Sequence, residues 1–142
     1  MANVIRSGSK PIYAICEAAN ETTVVSNAWT PLTTVSDFAS TADFTFAGGA
    51  YTVKSTGLYR ISAGGSVVDS GSATLFYVGW DDGTSTYLAG AGWGNNGAGV
   101  LASPTGITVF LTANDTLEPV YFTDSTAATE ANFTQFSITR GI

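Results

Sequence analysis

The sequence predicts an all-β protein, a sandwich or barrel of short antiparallel strands, and three observations carry that prediction. Apolar and polar residues alternate with a period of two, as where Tyr51, Val53, Tyr59 and Ile61 interleave with Thr52, Lys54, Arg60 and Ser62. Glycine, proline, asparagine and aspartate clusters cut the chain into roughly eight to ten strands, spaced about 8–12 residues apart. No window holds a 3.6-residue apolar period between caps, so little or no helix is expected.

Composition agrees. Of 142 residues, 44% are hydrophobic but only 11% charged, so the polarity rests on Ser, Thr, Asn and Gly. Threonine is the strand former among these, because its branched Cβ fits a pleated, half-buried surface. A chain of this length can bury about 68–70% of its unfolded surface in one core.

In order along the chain, residues 1–10 are polar and broken by Gly8, and they read as an N-terminal arm. "PIYAICEA", residues 11–18, is the first strand, with the single cysteine, Cys16, at an alternating and therefore buried position. Pro31 in "TTVVSNAWTPL", residues 22–32, marks an edge or bend. Residues 37–68 hold short strands punctuated by Gly48-Gly49, Gly57 and Gly64-Gly65. "SATLFYVGW" and "TYLAGAGW" flank a turn at "DDGTS", residues 81–85, and "GNNGAG", residues 94–99, is a loop. "TGITVFLTANDTLEPVYFT" is two strands with Asn114-Asp115 in the turn, and "NFTQFSITRGI" closes the chain. Composition is even from residue 11 onward, giving one domain over residues 11–142 after the arm at residues 1–10.

The charge balance excludes several classes of partner. Eleven acidic residues against five basic ones leave a net charge of −6. No cation cluster exists to displace counterions from phosphates, so neither nucleic acid nor an anionic membrane surface is an expected partner. No apolar run approaches the ~20 residues that span a bilayer, and no charged leader with an apolar stretch marks secretion.

Catalysis is disfavoured too, and no cofactor or metal is expected. Without histidine, and with one cysteine, neither a Ser-His-Asp nor a Cys-His arrangement can be assembled. Zinc would need an all-carboxylate site. Asp81-Asp82 precede Gly83 and read as turn chemistry rather than an acid pair. "GAGWGNNGAG" has the glycines of a phosphate loop but no helix after it. The expectation is a protein that is not an enzyme.

Three segments resemble one family. "YTVKSTGLYRIS" is similar to the hairpin of the tumour necrosis factor/complement globular-head superfamily, with Gly57, Leu58 and Tyr59 at its Gly-aromatic-Tyr positions. "ITVFLTANDTLEPVYF" resembles that family's paired apolar strands around a turn closing on Asp, although Asn114 stands where glycine is usual. "NFTQFSIT" is similar to its final strand.

The resemblance implies a single antiparallel TNF-like jelly-roll sandwich and a homotrimer around a three-fold axis. Leu58, Tyr59, Phe110, Tyr121 and Phe136 are then candidates for core or axis. Members without a signal peptide and rich in Thr, Gly and Ala resemble surface proteins of tailed-phage virions. That implies a capsid decoration protein, made in the host cytoplasm, that stabilises the head by binding the major capsid protein. The arm, with Val4, Ile5, Arg6 and Lys10, would reach a neighbouring subunit or the acidic shell. The alternative is a receptor- or glycan-binding tip of a fibre or adhesin, gripping its ligand with Trp80, Tyr87 and Trp93.

Overall fold

The computed structural model describes residues 10–18, 23–32, 35–69, 75–93, 100–124, 127–129 and 135–140. These contain thirteen strands and no helix. They are β1 (Tyr13–Ala18), β2 (Thr23–Val24), β3 (Thr30–Pro31), β4 (Val35–Ser40), β5 (Phe44–Ala47), β6 (Ala50–Val53) and β7 (Gly57–Asp69). There follow β8 (Leu75–Asp81), β9 (Thr86–Trp93), β10 (Val100–Leu111), β11 (Thr116–Thr123), β12 (Ala127–Thr129) and β13 (Gln135–Arg140).

The strands form two antiparallel sheets packed as a sandwich. One runs β4-β1-β13-β7-β10 and the other β9-β8-β11-β6-β5. β10 links them, because Ser103 and Pro104 turn from β7 to pair with Ala91 and Gly90 of β9. The β7 register is interrupted between Ala102 and Thr105, a bulge that accommodates Pro104, which cannot donate to a ladder.

Alternation decides what is buried. Tyr59, Ile61 and Ala63 of β7, Phe136 and Ile138 of β13, and Phe76, Val78 and Trp80 of β8 face inward and are essentially inaccessible. Their rings bridge the layers. Tyr51, Trp80, Phe136, Tyr121 and Phe76 form a chain with successive centroid distances of 6.4, 5.3, 5.7 and 4.9 Å. Polar atoms carried inside are bonded across the sandwich: Trp80 Nε1 donates to the Ser62 carbonyl at 3.2 Å. The Tyr51 hydroxyl lies 2.6 Å from Asp37 Oδ1 and 2.9 Å from the Ile15 carbonyl.

Two expectations need correction. Gly64-Gly65 do not break a strand, since β7 runs unbroken for 13 residues from Gly57 to Asp69, with Gly64 paired to Gln135 of β13 and Gly65 to Ala102 of β10. Neighbouring strands, not local propensity, hold those glycines extended. The strand count exceeds eight to ten because β2, β3 and β12 are two or three residues long, below what alternation can register.

Candidate functional site

The five family-derived candidates divide into two groups. Tyr59, Tyr121 and Phe136 are fully buried and belong to the core. Leu58 and Phe110 do not. They face each other across β7 and β10 and are 53% and 64% exposed. One residue of offset in a strand reverses the face, which is why Leu58 and its neighbour Tyr59 part company.

The surface around that pair is polar and nearly uncharged. On the same outward face, Arg60 and Thr108 form the next row, flanked by Thr139 of β13, and Ser62 and Gly106 the row after. Arg60 lies across β10: a Cβ on Gly106 would meet its guanidinium at about 2.5 Å, so glycine there lets the arginine lie flat. Arg140 sits similarly over Gly57 and donates to the Thr56 carbonyl at 3.1 Å. The apolar pair stands beside one exposed cation, with polar hydroxyls around it.

At the other candidate positions the picture differs. Trp80 is not a ligand contact: it is 0% exposed at the centre of the aromatic chain. Inward alternation from Phe76 and Val78 places it in the core. Tyr87 is half-buried, and its hydroxyl is committed to Asp82 Oδ2 at 2.7 Å. Trp93 ends β9, and its side chain lies outside the described residues. Val4, Ile5 and Arg6 also lie outside them, whereas Lys10 is described and exposed.

The Asp81-Asp82 turn behaves as the sequence indicated. Asp82 Oδ1 accepts from the amides of Thr84 and Ser85 at 2.8 and 2.6 Å, and Asp81 Oδ1 from that of Gly83 at 2.7 Å. Gly83 holds φ at 86°, the left-handed conformation that glycine adopts without strain. Partial burial pushes the Asp82 carboxyl upward, but the bonds from Ser85, Tyr87 and Thr84 outweigh it and hold it below the usual carboxylate range. With the Thr86 hydroxyl donating to Asp81 Oδ2 at 2.7 Å and Tyr87 to Asp82 Oδ2, each of the four carboxylate oxygens of the turn accepts an internal bond. Glu118, opposite Asp81 on β11, is shifted upward by burial and then by the Asp81 charge. Asn114 also takes a left-handed φ, 79°, which explains an asparagine at a position where glycine is usual.

Sequence reasoning missed a second aromatic group. Trp29 and Tyr77 flank Phe122 on the outer side of the second sheet, with centroids 5.6 and 5.8 Å from it. Trp29 also lies over Gly79, its Cζ3 3.5 Å from where a Cβ would stand. Only the outward parity of Tyr77 and Phe122 could have hinted at this. Trp29 arrives from a segment paired to β11 by two residues.

No protein-family model and no curated protein matches the sequence. Solved structures do. A TNF of S. frugiperda, Eiger, superposes with a TM-score of 0.66 at 14% identity, covering 93% of both chains. Murine APRIL gives 0.65 at 11% identity over 93% of this chain and all of that one. The chain has the TNF-like jelly-roll fold. The vertex protein P5 of phage PRD1 shares this jelly roll, with a TM-score of 0.65 and 13% identity over 94% of this chain and 98% of that one.

Proposed function

We propose that this jelly roll is a structural virion protein, a homotrimer that decorates the outer surface of a phage head and stabilises it without covalent chemistry. The observation that carries the reading is the exposed Leu58–Phe110 pair. Two large apolar side chains opposite each other on a sheet face are a liability for a solitary domain and an asset for one that associates. Heterologous packing of that face against a neighbour closes into a ring, and a three-fold ring fits capsid positions of local three-fold symmetry. The likeness to a phage vertex protein supports the virion setting, and a carboxylate turn whose four oxygens each accept an internal bond supports a non-catalytic role.

Purified protein mixed with expanded phage capsids lacking it tests the proposal. Saturable, stoichiometric binding that raises the temperature of head disruption is the expected result. No binding at any protein excess would sink it.

The surface Trp29–Phe122–Tyr77 group favours one second reading, the glycan-binding tip, now resting on those rings rather than on Trp80. A glycan array decides this: a hit lost in Tyr77→Ala supports it, and a blank array removes it.

A further inference from the structure

We infer that the outer face of the first sheet is a head-to-tail docking surface on which Arg60 of one copy engages Glu17 of the next. The inference rests on the association proposed above and names its charged contact. The face has two unlike halves. Along residues 57–64 of β7 and 105–111 of β10 the only charged residue is Arg60, beside the bare Leu58–Phe110 pair. Arg140, lying over Gly57, adds a second cation at that end. Along β1 and β4 the charged residues are Glu17 and Asp37, with no cation. There too a large apolar side chain is bare. Ile15 pairs with Ala39 and Cys16 with Asp37, so a bulge leaves Phe38 over, and it is 68% exposed. A ring closes when one patch of a subunit fits a different patch of its neighbour, and these two halves are opposite in charge.

Arg60 has no acid beside it in its own chain. Its row runs Tyr13, Thr139, Arg60, Thr108, and the adjoining rows hold Leu58 with Phe110 and Ser137 with Ser62 and Gly106. The exposed guanidinium lies flat over Gly106. Covering it with a surface that offers no anion would leave a desolvated, unpaired charge, so the partner has to bring one. A chain with eleven acidic residues to five basic ones supplies carboxylates. Of the two on β1 and β4, Asp37 is already engaged by the Tyr51 and Ser40 hydroxyls at 2.6 and 2.9 Å. Glu17 points outward by alternation from the buried Cys16, and its cross-strand neighbours, Gln135 and Ser36, carry no charge. Within one chain Arg60 and Glu17 stand apart. Glu17 pairs with Gln135 and Gln135 with Gly64, so Arg60 lies about 13 Å further along the strands and about 10 Å across them. Both ends fit within a standard interface patch of about 800 Å² per partner.

Charge reversal tests this in the full chain, read by sedimentation velocity across a dilution series. Arg60→Glu and Glu17→Arg should each raise the dissociation midpoint about ten-fold or more, and the two together should return it to within about three-fold of the wild type. Added salt should weaken the wild-type assembly, and Arg60→Gln, which keeps much of the stem, should flatten that dependence. Single variants as tight as a wild-type oligomer, or a double variant no tighter than the singles, overturn the pairing and leave the association reading standing. A wild type that is monomeric throughout overturns that reading and the pairing with it. Where a reversed chain fails to fold, the salt series decides, and equal slopes for the wild type and Arg60→Gln overturn the inference.

Discussion

Replacing Leu58 and Phe110 together by serine should dissolve the proposed trimer and leave the jelly roll intact. Burying a whole Leu or Phe side chain stabilises by about 1.5–3 kcal/mol. Leu58 is 53% and Phe110 64% exposed, so the part still available for burial in an interface is between half and two-thirds of each. That corresponds to about 1–2 kcal/mol per residue and about 2–4 kcal/mol for the pair, or roughly 30–900-fold in the dissociation constant of each interface. Inside the lone chain the loss is smaller, because only a cross-strand contact worth about 0.2–1 kcal/mol disappears.

Sedimentation velocity across a dilution series reads this directly. The wild type should remain trimeric into the micromolar range, and the double variant should shift its dissociation midpoint to at least thirty-fold higher concentration. Its β-sheet circular dichroism should stay unchanged. Tyr59→Ser is the contrast: the adjacent residue is fully buried, so its loss should unfold the chain rather than dissociate it. A double variant that sediments and dilutes like the wild type refutes the assignment of this face, and a wild-type monomer refutes the trimer itself.

Tyr51→Phe should cost about 1–3 kcal/mol in urea denaturation, because it strips the hydroxyl that ties β6 to Asp37 and the Ile15 carbonyl. Tyr87→Phe should change the alkaline limb of stability. The bond to Asp82, with burial and the carboxylate charge behind it, pushes the Tyr87 phenol up to about 12 from 10.0. A raised folded-state value means that this stabilisation is complete below pH 10 and fades as pH rises towards about 12, so the variant should be weaker at neutral pH and lose less across that window. Parallel curves for the two proteins would show that the bond contributes nothing. Cys16 should resist thiol reagents until the chain unfolds: burial first, then the Asp37 and Glu17 charges, push its thiol well above the ordinary range. Labelling of the native protein at the rate of a free thiol would contradict its placement.

The fold was legible in the sequence where alternation was long enough to read. The strands at Ala50–Val53, Leu75–Asp81 and Thr116–Thr123 are close to where period two puts them, and the buried cysteine follows from the same rule. The candidate site was only half legible. Alternation shows that Leu58 and Tyr59 face opposite ways, but not which face is the core. That choice needs the second sheet, whose Phe44 packs edge-on against Tyr59 at 6.1 Å between centroids while Leu58 stays exposed. Phe38 was invisible because the bulge that displaces it is a property of pairing with β1. Trp29 was invisible because its anchoring strand is two residues long and pairs with a partner about ninety positions away.

The two outer faces are not equivalent, and this asymmetry strengthens the case for association. By alternation Val120 should point outward from β11, yet it is 2% exposed. Its cross-strand neighbour Gly79 lies beneath Trp29, and Pro31 pairs with it directly. Trp29 and Pro31 therefore cover this part of the second sheet's outer side with the chain's own residues. The first sheet has no such segment among the described residues over β7 and β10, and there Leu58 and Phe110 remain open. With Trp29 over one sheet and a leucine–phenylalanine pair bare on the other, the bare side is the one where association would bury apolar surface. Self-association through that face would leave the Trp29 side pointing away from the interface.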